Sequence, residues 1–287
     1  MAEPNNSQKK PFIRFKIIHY YLVPIICLIV WWGMLIALLV AWSIQGHPIY
    51  AFMGPEHQDP VYISDIGATN LQPLFISCAG FQAIFFVGTL ALDLYLREKH
   101  KLQPFIKSRQ HKLAIISIIC AVIGQLGILF VSIFNTKNFK YVHLSMVAIF
   151  IAFSFFACFF NFFNSFTFGN NPQLLSPYHK EDVIFGYKKW HNLYMVSFWM
   201  KAFWLVAAFF FAVLFGAFMK SGHDSTSAIF EWLISFWYGL LLVMWSIDLL
   251  PSSLKHFRIN HPEIYGPNSE EGVDETKPED HSDSTQP

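Results

Sequence analysis

The polar residues most able to do chemistry in this chain fall into three groups. Asp65, His143 and Glu231 each stand at or near the start of a long apolar run. At a shared depth, two carboxyls and an imidazole could hold a cation or relay a proton, yet no diagnostic spacing links the three. An interhelical hydrogen-bond cluster is the expectation there, and no metal site. A second group lies inside apolar runs: Lys201, Asp93, Asp248, Asn161 and Asn164. Lys201 must either snorkel to the interface or pair within the protein, with Asp248 or Asp93 as partner, and Trp204 at i+3 is spaced for a cation–π contact. Asn161 and Asn164, three apart, share a helical face that can hydrogen-bond to a neighbour. The third group is the basic segment with Arg97, Lys99, Lys101, Lys107, Arg109 and Lys112. Beside a bilayer each such charge attracts anionic lipid by about 1 kcal/mol, and a run of this size reads as a phosphatidylserine or phosphoinositide contact. The same charges would equally serve to set topology, and Leu102, Phe105 and Ile106 among them are apolar enough to dip into the interface. No phosphate-cradling glycine loop, nucleophile elbow, HExxH or spaced carboxylate pair is present, so no catalytic residue and no cofactor is assigned.

These groups sit on elements dictated by composition. Of 287 residues, 54% are hydrophobic and only 14% charged, with a mean hydropathy of +0.39. A soluble domain carries about 25% charged residues, so this chain lacks the polar surface that water requires. A net charge of +1 disfavours a nucleic-acid partner. Six apolar runs, at about 17–44, 71–96, 113–134, 142–166, 193–219 and 228–250, reach the roughly 20 residues that cross a bilayer. In hydrocarbon each must be a helix, because an unpaired backbone group costs several kcal/mol there. The fold class is therefore all-α: a six-helix membrane bundle with a short arm at 1–16 and a tail at 251–287. Pro24 is expected to kink the first span, Pro73 to sit in the first turn of the second, and Thr69 or Asn70 to cap that helix. Ala121, Gly124 and Gly127 mark a smooth face that another helix can approach closely.

Sixteen Lys and Arg fall on one side of the spans and three on the other, with Lys201 inside a span. This asymmetry places both termini in the cytosol. Three loops, at 45–70, 135–141 and 220–227, then face the opposite side. The first span is too long for a signal-peptide core. All four cysteines lie within spans, which implies no disulfide framework. The one glycosylation sequon, at Asn5, falls on the cytosolic arm and should stay unmodified. From about Gly266 the tail is acidic and lacks aromatics, and it is expected to be disordered.

Tyr62-Ile63-Ser64-Asp65-Ile66-Gly67 before the second span, Val142-His143 opening the fourth, Glu231-Trp232 opening the sixth and Asp248 near its end resemble the FRAG/DRAM/SFK family of six-span membrane proteins. The likeness runs from about 17 to 250 and is strongest toward the fungal branch. Tyr62, Ser64, Asp65, Gly67, His143, Glu231, Trp232 and Asp248 match recurrent family positions without carrying assigned roles. The resemblance implies a non-enzymatic plasma-membrane protein that helps place a phosphatidylinositol 4-kinase complex and influences phosphoinositide levels, phospholipid asymmetry and sterol retention; other branches act on endomembranes. Anionic phospholipids and that kinase complex are the partners expected. Two alternatives remain: a lipid transporter or scramblase with a polar path along Lys201, Asp248, Asn161 and Asn164, and a lipid-modifying enzyme using Asp65, His143 and Glu231.

Overall fold

The computed structural model describes residues 19–53, 58–175 and 192–260, with side chains described as far as Ser253. The N-terminal arm, Lys180, Lys188, Lys189 and the acidic tail lie outside the described residues. Seven α-helices occur among the described residues, and no strand: α1 Leu22–Ile44, α2 Ile63–Ile66, α3 Gln72–Glu98, α4 Ser108–Ile133, α5 Thr136–Asn170, α6 Leu193–Lys220 and α7 Asp224–Asn260. All but α2 are long and apolar enough to cross a membrane. The shortest of the six, α1, has 23 residues; at 1.5 Å per residue it extends about 35 Å, more than the roughly 30 Å of hydrocarbon.

Chain order sets the neighbours. Each long helix packs on the next, and α1 closes the ring by contacting both α3 and α7. Two ends result. One carries α2 between the ends of α1, α5 and α7 and is called the cap end here; the other carries the segment between α3 and α4 and is called the basic end. Across the middle, the Tyr238 hydroxyl accepts hydrogen bonds from Gln82 Nε2 at 3.0 Å and Gln125 Nε2 at 2.8 Å, while Cys27 Sγ donates to Gln82 Oε1 at 2.8 Å. Four helices thus share one buried polar knot.

Local chemistry sets the helix ends, and in several places it differs from the sequence expectation. The first helix begins at Leu22, so Pro24 falls in its first turn, where a missing N–H costs nothing, rather than inside a kinked span. Residues 135–141, expected as a loop, instead open α5: Asn135 Oδ1 accepts from Asn138 N at 2.9 Å, a side-chain cap that starts the helix early. The backbone distortion this requires is confined to Phe139, with φ −136° and ψ 41°. Neither Thr69 nor Asn70 is the N-cap of α3, which is Leu71; the Thr69 hydroxyl bonds back to the Ile66 carbonyl at 2.7 Å. At the other end of the chain, α7 runs through Pro251 to Asn260 rather than stopping at Leu250.

The smooth face on α4 works as its residue types require. A Cβ on Gly127 would lie 2.9 Å from Phe150 N, and one on Gly124 would lie 3.0 Å from Ser154 N. Backbone-to-backbone approach replaces side-chain interdigitation here, and the Ser117 hydroxyl donates across the same seam to the Ala157 carbonyl at 2.7 Å. Gly88 on α3 faces open space. Gly127→Ala is therefore expected to destabilise the purified protein by about 1–3 kcal/mol through overpacking, while Gly88→Ala leaves it unchanged or slightly firmer. Thermal unfolding in detergent reads the difference.

Candidate functional site

At the cap end, the string around Asp65 clamps α2 onto α5 and α7. The Tyr62 hydroxyl donates to Asp224 Oδ1 at 3.1 Å, Ile63 N–H donates to Glu231 Oε2 at 2.6 Å, and the Trp232 indole N–H donates to the Val61 carbonyl at 3.0 Å. Asp65 Oδ1 accepts from the Thr136 hydroxyl at 2.8 Å, at the positive end of α5. Gly67 is required sterically, since a Cβ there would lie 2.5 Å from the Phe75 ring. Burial pushes the Asp65 carboxyl up to about 6, with Thr136 and Lys140 opposing and Asp224 reinforcing; burial also raises the Tyr62 phenol. Ser64 is buried in the same clamp.

His143 does something else. Its Nδ1–H reaches the carbonyls of Phe134 at 2.8 Å and Val131 at 3.0 Å, both left without helical partners where α4 ends. Asp65 faces α5, Glu231 faces the backbone of α2, and His143 closes α4, so the three do not converge on one ligand position. Among the described residues no group of three His, Cys, Asp or Glu is placed to hold a metal ion.

Toward the basic end, Lys201 is 1% exposed and does not snorkel. Its ammonium donates to Asp248 Oδ2, to Asn161 Oδ1 at 3.2 Å and to the Ser165 hydroxyl at 3.2 Å, which uses all three of its hydrogens. The remaining Asp248 oxygen accepts from the Ser197 hydroxyl at 2.7 Å, and Asn161 Oδ1 also takes the Trp245 indole N–H at 3.1 Å. The indole of Trp204 donates to the Trp237 carbonyl at 2.7 Å. Asn164 lies on the same face as Asn161, buried, with neither amide atom partnered among the described residues; it lines a cavity of about 10 Å³ between the Lys201–Asp248 and Arg97–Asp93 pairs. That volume holds about one water.

The basic segment divides into buried anchors and exposed charges, of which Lys101 also donates to the Tyr20 hydroxyl at 3.1 Å. Arg97 turns inward: Nε and Nη2 hold the two Asp93 oxygens at 2.9 Å each, Nη1 donates to the Gln103 carbonyl at 3.0 Å, and the guanidinium lies 4.9 Å from the centre of the Phe168 ring. Arg97 is thus withdrawn from the candidate lipid contacts. Leu102 is buried, and Phe105 and Ile106 pack against Phe168, Leu175 and Tyr194, so these apolar residues enter the protein rather than the interface. Buried Gln110 completes the anchoring, its Oε1 accepting from Ile106 N at 2.9 Å and Lys107 N at 3.1 Å. Lys99, Lys101, Lys107, Arg109 and Lys112 remain exposed. Gln82, Gln125, Gln103 and Gln110 have no counterpart in the sequence reading; four glutamines inside or beside apolar runs were the available signal.

Six apolar crossings, a buried ion pair and polar clamps at both ends define a polytopic helical membrane protein. Residues 19–252 match the family model described as Frag1/DRAM/Sfk1/Cwh43P N-terminal domain, and the chain belongs to that family. It is 36% identical to Protein SFK1 of Saccharomyces cerevisiae, over 79% of this chain and 77% of that one. It is 23% identical to Protein sfk1 of Schizosaccharomyces pombe, over 83% of this chain and 66% of the relative. No solved structure matches.

Lys201→Met leaves the Asp248 carboxylate buried without its cation and is expected to cost about 3–5 kcal/mol, most of which Lys201→Met/Asp248→Leu should restore; thermal unfolding in detergent checks both. Asp65 gives a second test. Its folded form holds a proton more tightly than an unfolded carboxyl, so the stability from that proton is full near the ordinary value of 3.8 and is lost as pH rises through about 6. The melting temperature of Asp65→Asn should exceed that of the native protein by a margin that widens between about pH 4 and pH 7.

Proposed function

We propose that this protein is a non-enzymatic membrane regulator whose basic end lies in the cytosol and helps place a phosphatidylinositol 4-kinase complex at the plasma membrane. The observation that carries the reading is the division of residues 97–112, which run from the end of α3 into the first turns of α4. Buried Leu102, Gln103 and Gln110 pin this stretch to the bundle, and five cations stay outward on a fixed platform. Fixed charge next to the headgroups attracts anionic lipid and concentrates it locally. The excess of Lys and Arg at this end supports its cytosolic placement. The kinase complex, the plasma membrane and the link to phosphoinositide levels and phospholipid asymmetry are proposed from what the family resemblance implies.

The transporter reading finds less support. Lys201, Asp248 and Asn161 are tied to one another, and the cavity beside them is about 10 Å³, far below a lipid headgroup.

Deleting the gene should lower the plasma-membrane signal of a fluorescent phosphatidylinositol 4-phosphate sensor. A variant with Lys99, Lys101, Lys107, Arg109 and Lys112 changed to Gln should reach the membrane yet fail to restore the signal. An unchanged sensor signal after deletion would overturn the reading, and full rescue by the five-residue variant would remove the basic platform from it.

A further inference from the structure

Near the basic end, α5 and α6 touch closely: a Cβ on Gly169 would lie 2.8 Å from Met195 N, and Asn192 Nδ2 donates to the Gly169 carbonyl at 2.8 Å. Toward the cap end they part, and a cavity of about 640 Å³ opens between them with α7 behind it. This volume falls within the about 300–1,000 Å³ of small-molecule sites. Along α5 the lining runs from Leu144 to Phe156, about 18 Å at 1.5 Å per residue, which compares with the roughly 15 Å depth of one leaflet's hydrocarbon. Rim residues such as Phe156, Phe209 and Val213 are exposed, so the slot opens sideways onto the lipid-facing surface.

A slot of this kind in a bilayer is open to a lipid chain; the choice of lipid rests with the polar groups that line it. Among the described residues that line it, Glu231 is the one charged side chain, and no Lys, Arg or His accompanies it. Its carboxylate accepts from Ile63 N and from the backbone and hydroxyl of Ser64. These bonds use only part of the carboxyl's hydrogen-bonding capacity, which leaves room for one from a ligand. A phosphate at that position would meet two acidic side chains, Glu231 and Asp65 on the adjoining helix, and no cation among the described lining residues to balance its charge. A single hydroxyl suits it. The geometry points to a binding site for a phosphate-free acyl lipid with a hydroxyl head, of the diacylglycerol type: the hydroxyl hydrogen-bonds to the Glu231 carboxyl and the chain lies along α5 and α6.

The test uses the full chain reconstituted in phosphatidylcholine vesicles. A photoreactive diacylglycerol and a photoreactive phosphatidylcholine with the same chains are added in parallel at equal mole fraction, and crosslinked peptides are mapped by mass spectrometry. The diacylglycerol probe should label 144–156 and 204–219 at least several-fold more than the phosphatidylcholine probe. Glu231→Gln should reduce that preference. Because Glu231 also holds α2, Ala212→Trp provides an independent variant that fills the slot; it should abolish labelling of these segments while the melting temperature stays near native. Equal labelling by both probes, no labelling of these segments, or labelling unaffected by Ala212→Trp in a folded protein would each overturn the assignment.

Discussion

Hydrocarbon offers no hydrogen bonds, so most polar atoms that the six long helices carry into it are answered by another atom of the chain, with Asn164 beside its small cavity as an exception. Lys201 expresses this constraint most sharply. A lysine ammonium in a bilayer either reaches water or finds partners, and here three partners from two neighbouring helices use its three hydrogens. Each also fixes a helix: Asn161 and Ser165 belong to α5 and Asp248 to α7, so the ammonium on α6 sets the rotation of three helices about their axes. The tryptophans follow the same rule. Indole N–H groups of Trp31, Trp32 and Trp204 donate to carbonyls of Ser235, Phe236 and Trp237 on α7. Interhelical bonds of this sort contribute about 0.6 kcal/mol each in a bilayer, so their value lies as much in register as in stability.

The two ends of the bundle solve different problems. At the cap end a four-residue helix is held by side chains from α5 and α7, and almost every polar group there is turned to a protein partner. His143 extends this inward economy by serving the last carbonyls of α4. At the basic end the polar residues of 97–112 are sorted by direction: glutamines and Arg97 point inward and secure the chain, and the other five cations of this stretch are exposed. A surface that must meet a membrane or a partner repeatedly gains from such anchoring, because the charges are already in place and little ordering entropy is spent on contact.

Between these ends the packing is uneven. The glycine face of α4 lets α5 approach to backbone distance, whereas α5 and α6 hold together near Met195 and separate toward Met219. Phenylalanines that read in sequence as general oily filling therefore take two roles. Those around Phe162 and Phe198 seal a seam, with ring centres 5.3 Å apart, and those around Phe155 and Phe209 border an open slot.

Much of the architecture was legible in one dimension, because hydrophobic run length, helix geometry and bilayer thickness are coupled by simple arithmetic. The number of crossings, the all-helical class, the close-approach face at Gly124 and Gly127, and the need for Lys201 to pair or snorkel all follow from residue type and spacing. Family membership could also be read from short strings in order. Tertiary structure decided the rest. A lysine's sequence position states that a partner is needed but not which of two aspartates meets it; that depends on which helices adjoin, and Asp93 proves to be engaged by Arg97 instead. Charge counting likewise treats Arg97 as equal to Lys99, though a bidentate carboxylate four residues back and the Phe168 ring, 71 residues away in the chain, draw it inward. Asp65, His143 and Glu231 share a depth, as their places in the runs indicate, yet each faces a different neighbour. Depth along a helix is a property of sequence, whereas direction around the helix and the identity of the facing atom belong to the assembled bundle.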